Sequence, residues 1–251
     1  MREKFCPLTD AQWQFIEKVV DGRKRKTNLR LVIDAIRLIA QTGLQWRNLP
    51  DTYPAWQTVY YYFNKWAKDQ TIGTLLQMSN QKRRIQSQRS PTPTRVAIDS
   101  QSVRKGLFVS QNTGIDGYKQ VNGRKRHIAV DSLGLLMSIH ISCANAHDGQ
   151  VGIELFPRLS KSAPNLVLIC ADSAYQGDFQ TNAAYCSYTV EIAQKPESDK
   201  GFIPQKGRWQ VERSFAWANA YRRLTRSYEK TTLAEETFFQ LAFLDMNLAK
   251  I

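Results

Sequence analysis

The sequence contains no long apolar run. The longest, Leu166 to Ala171, falls far short of the roughly 20 residues a membrane-spanning helix needs, so no transmembrane segment is expected. Cysteine is scarce and scattered: Cys6, Cys143, Cys170 and Cys186 make no CxxC pair, which argues against a zinc site and leaves them as ordinary reduced thiols. The three histidines, His127, His140 and His147, lack an HExxH or i,i+4 spacing, so a zinc hydrolase is disfavoured. Ser100 and Ser173 sit in no GxSxG elbow, which disfavours a nucleophilic-serine enzyme. Met1-Arg2-Glu3-Lys4 leads into polar sequence without the apolar core of a signal peptide, and a cytoplasmic, nucleoid-associated protein is expected.

Acidic residues are also outnumbered, with 22 Asp and Glu against 35 Lys and Arg, a net charge of +13 that calls for a polyanionic partner, nucleic acid first. What is present suffices for a folded core. The 251 residues, 42% apolar with six Trp, exclude wholesale disorder and bound the chain at one or two domains.

Residues 1–90 hold 16 basic and 7 acidic side chains, so most of the excess charge lies at the front. This part reads as a helical domain over residues 1–80. Thr9 and Gln12 form a capping-box pattern. A helix from about Asn28 carries Leu29, Val32, Ile33, Ile36 and Ile39 inward, with Arg30, Asp34, Arg37 and Gln41 opposite, and stops at Gly43. Pro54 can open a further helix with Trp56, Val59, Tyr60, Phe63 and Trp66 inside and Gln57, Thr58, Tyr61, Tyr62, Lys65 and Lys68 outside. A helix, a bend through Arg47 and a helix with polar, aromatic and basic outward residues is the pattern of a helix-turn-helix DNA reader, and equally that of a plain helical bundle with a solvated face. The run Arg23-Lys24-Arg25-Lys26 suits phosphate contact.

Residues 81–94 are polar, basic and closed by Pro91 and Pro93, as in an interdomain linker. From residue 95 to 251 the pattern changes to short strands and helices: Arg95 to Asp99, a hairpin of Arg126 to Asp131 with Leu135 to Ile141, a helix from Gly149 to Leu159, strands at Leu166 to Ala171 and Thr189 to Ala193, and a helix from Arg208. This predicts an α/β domain, a mixed sheet with helices on both faces.

Two of these strands end in a carboxylate, Asp99 and Asp172. Side by side at one rim they would repel unless a cation neutralised them, and hard oxygen donors favour Mg²⁺ or Mn²⁺ over zinc. Glu212 lies on the last predicted helix, four residues after Arg208, with Trp209, Phe215 and Ala216 as anchors to the sheet. Both metal coordination and a structural pair with Arg208 fit that spacing. Asp116, Asp131 and Asp148 adjoin turns and read as structural.

Ala97-Ile98-Asp99-Ser100-Gln101-Ser102-Val103, Asp116-Gly117, Asn122-Gly123-Arg124-Lys125-Arg126-His127, Val130-Asp131-Ser132-Leu133-Gly134, Ala171-Asp172-Ser173-Ala174-Tyr175 and Arg208-Trp209-Gln210-Val211-Glu212-Arg213-Ser214-Phe215-Ala216-Trp217 together resemble bacterial insertion-sequence transposases of the D-D-E class, IS-five type. Leu8-Thr9-Asp10-Ala11-Gln12-Trp13, Gly43-Leu44-Gln45-Trp46-Arg47-Asn48-Leu49-Pro50 and Trp56-Gln57-Thr58-Val59-Tyr60-Tyr61-Tyr62-Phe63 resemble that family's DNA-binding region.

The resemblance implies a ribonuclease H-like catalytic fold with Asp99, Asp172 and Glu212 as catalytic, metal-binding acids. Of the Tyr, Arg, Glu, Lys signature that surrounds the family's glutamate, Arg208 matches, whereas Gln205 and Asn219 replace the Tyr and the Lys. It further implies two Mg²⁺ ions, for which Mn²⁺ can substitute, double-stranded DNA as terminal inverted repeats and target, and a homodimer on paired ends. Lys119, Arg124, Lys125 and Arg126 would line the DNA path beside Arg208 and Arg213. Two rival readings remain: a catalytically silent, transposase-derived repressor, and a structure-specific nuclease on the same fold.

Overall fold

A computed structural model describes residues 5–20, 26–193 and 209–251. The front is helical: α1 (Asp10–Glu17), α2 (Leu29–Thr42), α3 (Trp56–Lys68) and α4 (Thr71–Gln86), with a 3-10 turn at Trp46–Asn48 between α2 and α3. The capping box forms as expected, since the Gln12 amide donates to Thr9 Oγ1 at 3.3 Å and the Thr9 amide to Gln12 Oε1 at 3.0 Å. Asn28 caps α2, and Gly43 ends it with φ of +74°, a left-handed value that glycine adopts without strain.

Two expectations for these helices need correction. Asp34 and Arg37, assigned to the solvent face of α2, are buried. Arg37 donates to Asp34 at 2.7 Å and to Asp245 at 2.6 Å, and Asp245 also accepts from Gln41 at 2.7 Å and Tyr221 at 2.9 Å. A second layer of protein covers the polar side of α2, and the charges survive there because each is paired. On α3, Tyr62 is buried while Tyr60 is 42% exposed, the reverse of the expected faces. Tyr62 lies three residues after Val59 and four before Trp66, so the inward stripe includes it, and its ring stacks 5.3 Å from that of Trp66.

The segment 81–94, expected as a linker, is helical as far as Gln86. There Arg84 is buried against Asp131, which also accepts from the Leu133 and Leu135 amides at 2.9 Å, so Asp131 is the structural turn residue expected.

Beyond it come β1 (Arg95–Arg104), β2 (Gly114–Asp116), β3 (Val121–Val130), β4 (Leu136–Cys143), α5 (Asp148–Val151), α6 (Phe156–Ser162), β5 (Leu168–Ala171), α7 (Asp178–Tyr185), β6 (Thr189–Ile192), α8 (Trp209–Ala218) and α9 (Thr232–Leu248). β1 pairs antiparallel with β3 and parallel with β5, β5 pairs parallel with β6, and β4 and the short β2 both pair antiparallel with β3. Three antiparallel strands continued by parallel ones, with helices on both faces, form the ribonuclease H-like arrangement. The hairpin turn sits where expected, with Gly134 at φ +81°.

Two apolar clusters flank the sheet. Val96, Ile98, Ile169 and Ala171 pack with Leu155, Phe156, Tyr175 and Phe179 on one face. On the other, Ala97, Ile128 and Val130 join α8, α9 and the front helices in one continuous cluster. Twelve of the seventeen residues of α9 are buried, as befits a helix packed on several sides. Each fully buried Phe such as Phe238 or Phe239 contributes about 1.5–3 kcal/mol of transfer free energy.

Candidate active site

β1 and β5 set the positions of the two acids: Asp172 lies just past the end of β5 as expected, whereas Asp99 lies within β1, which runs on to Arg104 because it stays paired with β3. Arg95 lies opposite Leu168, Val96 opposite Ile169 and Ala97 opposite Cys170. The offset of 73 positions that relates these pairs also relates Asp99 to Asp172, two residues past the last pair. Neighbouring strands run about 4.8 Å apart, so the same register carried two residues further would set Asp99 beside Asp172 where β5 ends. Strand alternation puts Asp99 on the face of Ala97, the side covered by α8. Asp99 accepts from the Ser100 amide at 2.7 Å, and Asp172 from the Ala174 amide at 2.9 Å, where it caps the 3-10 turn Ser173–Tyr175.

Tyr175 reports the resulting field. Its side chain is fully buried, with the hydroxyl near Ser100, and its phenol pKa is driven well above the usual value by burial and then by the charges of Asp148, Asp99 and Asp172. Glycines permit this packing: a Cβ on Gly152 would stand 2.7 Å from the Tyr175 ring, and one on Gly149 2.7 Å from the Ala174 carbonyl. Sequence pattern places Asp148 at a turn and gives Tyr175 no role. The available signal was the run from Asp172 to Tyr175, too short for any periodicity.

Glu212 lies on α8, whose buried face is Val211, Ser214, Phe215 and Ala218 and which packs on β1 and β3. The glutamate itself is exposed, so the buried acid expected on a core-facing helix is replaced by a solvated one that needs no compensating partner. Trp209 and Ala216, expected as anchors, are exposed too. Among the described residues, no three His, Cys, Asp or Glu side chains are gathered to hold one metal ion. The β1–β5 register aligns the positions of Asp99 and Asp172, and Glu212 reaches the same side of the sheet from α8. The donor set fits a hard cation, because carboxylates offer oxygen ligands.

The expected DNA contacts divide. Arg23, Lys24, Arg25 and Arg208 lie outside the described residues. Lys26, Arg47, Gln57, Tyr61 and Lys119 are exposed, and Thr58 and Lys65 are half-buried. Tyr62 is core. Arg124, Lys125 and Arg126 are corrected outright. Arg124 and Arg126 are 0% exposed and both pair with Glu235, at 3.0 and 2.9 Å, while Lys125 sits 3.0 Å from Asp148. They lie on β3, a strand covered on both faces, so their charge is spent internally. Arg213 is clasped between the Trp209 and Trp217 rings at 4.2 and 4.4 Å and donates to the Leu133 carbonyl at 3.0 Å, which occupies it structurally. Asp116 is a turn residue as expected, accepting from Ser102 at 2.5 Å and from the Lys119 amide at 3.0 Å.

His127 faces Ser100 across β1 and β3, with Nε2 2.9 Å from Ser142 Oγ. Burial lowers its pKa to about 3, opposed by Asp148 and reinforced by Lys125, His140 and Lys119. The unfolded chain takes up this proton near pH 6.5, so the associated stability is complete above that pH and is lost as pH falls towards 3. The unfolding free energy is expected to drop between pH 6 and 4 by up to about 1.4 kcal/mol per pH unit, seen as a falling thermal midpoint, and a His127→Gln chain to show a flatter profile in the same melts.

A family model described as "Transposase DDE domain" matches residues 90–244. A second, described as "Putative transposase of IS4/5 family", matches residues 8–76. The uncharacterized protein y4sN of Sinorhizobium fredii is 31% identical over 74 residues, which cover 28% of this chain and 59% of that protein's length. Among the described residues, no helix is long and apolar enough to cross a membrane.

Proposed function

Because this chain belongs to the DDE-domain transposases, of the IS4/5 type, we propose that it binds the terminal inverted repeats of its element, hydrolyses the phosphodiester bond at each end and joins the freed 3′-hydroxyl to target DNA. The observation that carries this reading is the common register of Asp99 and Asp172, which supplies paired carboxylates at one sheet end.

Asp99 and Asp172 would hold the metal, with Glu212 completing the ligand set from α8. Magnesium, or manganese in its place, supplies the Lewis acidity that makes water a nucleophile at neutral pH and offsets charge on the leaving oxygen. The chain's own residues do the positioning. Backbone amides fix one oxygen of each aspartate. Tyr175, kept protonated by burial and by the same acids, packs behind them. Exposed Gln57 and Tyr61 on α3, Arg47 in the turn before it and Lys26 ahead of α2 would contact the inverted repeat, and two copies would act on paired ends.

The silent-repressor reading draws on one observation, that no three His, Cys, Asp or Glu side chains are gathered for a metal among the described residues. A supercoiled plasmid carrying both element ends separates the readings when incubated with the protein and Mg²⁺. Nicks mapped to the ends, followed by joined products, are expected. End binding without nicking would favour the repressor, and cutting of branched DNA without regard to end sequence, with no joining, would favour a nuclease.

A further inference from the structure

The buried arginines on β3 have a second effect, on the segment between α8 and α9. Arg126 donates to the Leu224 carbonyl at 2.7 Å. Arg124 donates to the carbonyls of Glu229 and Lys230 at 2.8 and 3.0 Å, and to Ser227 Oγ at 3.3 Å. Ser227 is fully buried, and its backbone is bonded to the end of β1: its amide donates to the Arg104 carbonyl at 2.9 Å, and its carbonyl accepts from the Gly106 amide at 2.7 Å. Leu224, buried at the 3-10 turn Arg222–Leu224, pins the other end. A surface segment is thus held from beneath by charged side chains and from the side by a strand.

That segment presents Arg222 and Arg226, and the strand end presents Arg104. All three are exposed and form no ion pair among the described residues. Their neighbour Arg223, in contrast, is taken up by Glu229 at 2.6 Å. A groove of about 460 Å³ is lined by Gln101, Arg104, Asn219, Thr225 and Arg226. It meets a second of about 570 Å³ at Thr225, lined by Arg222 and by Gln45 of the front helices. Gln101 is on the same strand face as Asp99 and two residues along, about 7 Å. The basic groove therefore starts beside the proposed catalytic strand and leads towards the front helices.

We propose that Arg104, Arg226 and Arg222 form a track for the phosphodiester backbone of the DNA substrate, joining the catalytic end of β1 to the front helical region. The proposal rests on the transposase reading and adds to it a path for the strand. Guanidinium groups match phosphate geometry, and the interleaved amide and hydroxyl side chains of Gln101, Asn219 and Thr225 are suited to bond phosphate oxygens. Asn219, where the family signature has lysine, contributes no charge here, and Arg226 brings a cation to the same groove.

The salt dependence of binding to a duplex tests it, measured by fluorescence anisotropy on the full chain over a KCl series. Each of Arg104→Ala, Arg222→Ala and Arg226→Ala is expected to reduce the slope of log K against log salt by about 0.9 in magnitude, the value for one lost phosphate contact. Arg→Lys at the same positions is expected to retain the slope, as is Lys161→Ala, an exposed cation on α6 against the opposite face of the sheet. Unchanged thermal midpoints certify the fold of each variant. Wild-type slopes in the three alanine variants would overturn the track and leave the transposase reading standing. An equal loss in Lys161→Ala would overturn it in favour of diffuse attraction. Absence of DNA binding by the wild-type chain would overturn both.

Discussion

Asp99→Asn and Asp172→Asn are each expected to lower the rate of end nicking by about 10³-fold or more, with end binding unchanged. Metal-borne charge stabilisation in phosphoryl chemistry is worth several kcal/mol, and each 1.36 kcal/mol is a factor of ten in rate. Loss of either carboxylate removes an anionic ligand from the proposed pair, whose oxygens accept from the Ser100 and Ala174 amides. Substitution by cysteine separates ligation from a structural role. Asp99→Cys should be inactive in Mg²⁺ and regain activity in Mn²⁺, because the softer ion accepts a thiolate. Full activity of either asparagine variant would remove these acids from the chemistry.

Glu235→Ala should be the most destabilising single substitution on the α9 side of the sheet. Glu235 is 1% exposed and is the carboxylate shared by Arg124 and Arg126, both wholly buried, and it also accepts from Ser227 at 2.5 Å. Breaking a buried pair costs about 3–5 kcal/mol because a charge is left uncompensated, a large share of the roughly 5–15 kcal/mol that holds a domain folded. At 2–4 °C per kcal/mol for a chain of this size, the thermal midpoint should fall by about 6–20 °C. Should the alanine variant prove insoluble, the urea midpoint of Glu235→Gln, which keeps the shape and loses the charge, gives the same comparison. A midpoint within about 2 °C of wild type would refute the assignment of Glu235 as the keystone of this cluster.

The elements with strong local signals were legible in the sequence. The Thr9 capping box, the Gly43 stop and the hairpin turn at Gly134 are decided within a few residues, and the structure has them where the pattern puts them. Asp172 was legible as an acid at a strand end, whereas Asp99 lies within β1, whose extension to Arg104 and register with β5 follow from pairing between distant strands that no local pattern encodes. Burial of charge was not legible. Arg124-Lys125-Arg126 reads as a surface run because isolated arginines are solvated, and only Glu235, over a hundred residues later, turns it inward. Arg37 is hidden for the same reason, since its partner Asp245 lies at the far end of the chain, and Asp34 is buried with it as its second partner. The exposed position of Glu212 likewise depends on how α8 seats its buried stripe, which spacing alone leaves open.

One consequence concerns how such a chain can change over generations. α9 closes the sequence, yet it lies against α2, α3, α4 and β4 at once, and its Asp245 and Asn247 bond Arg37, Ser79 and Asn80 of the front helices. Grafting a foreign recognition head onto this body would strand those polar groups in a dry interior. Exchange between related chains would therefore have to carry the front helices and α9 as a matched set, or accumulate repairs in α9 before the hybrid could fold.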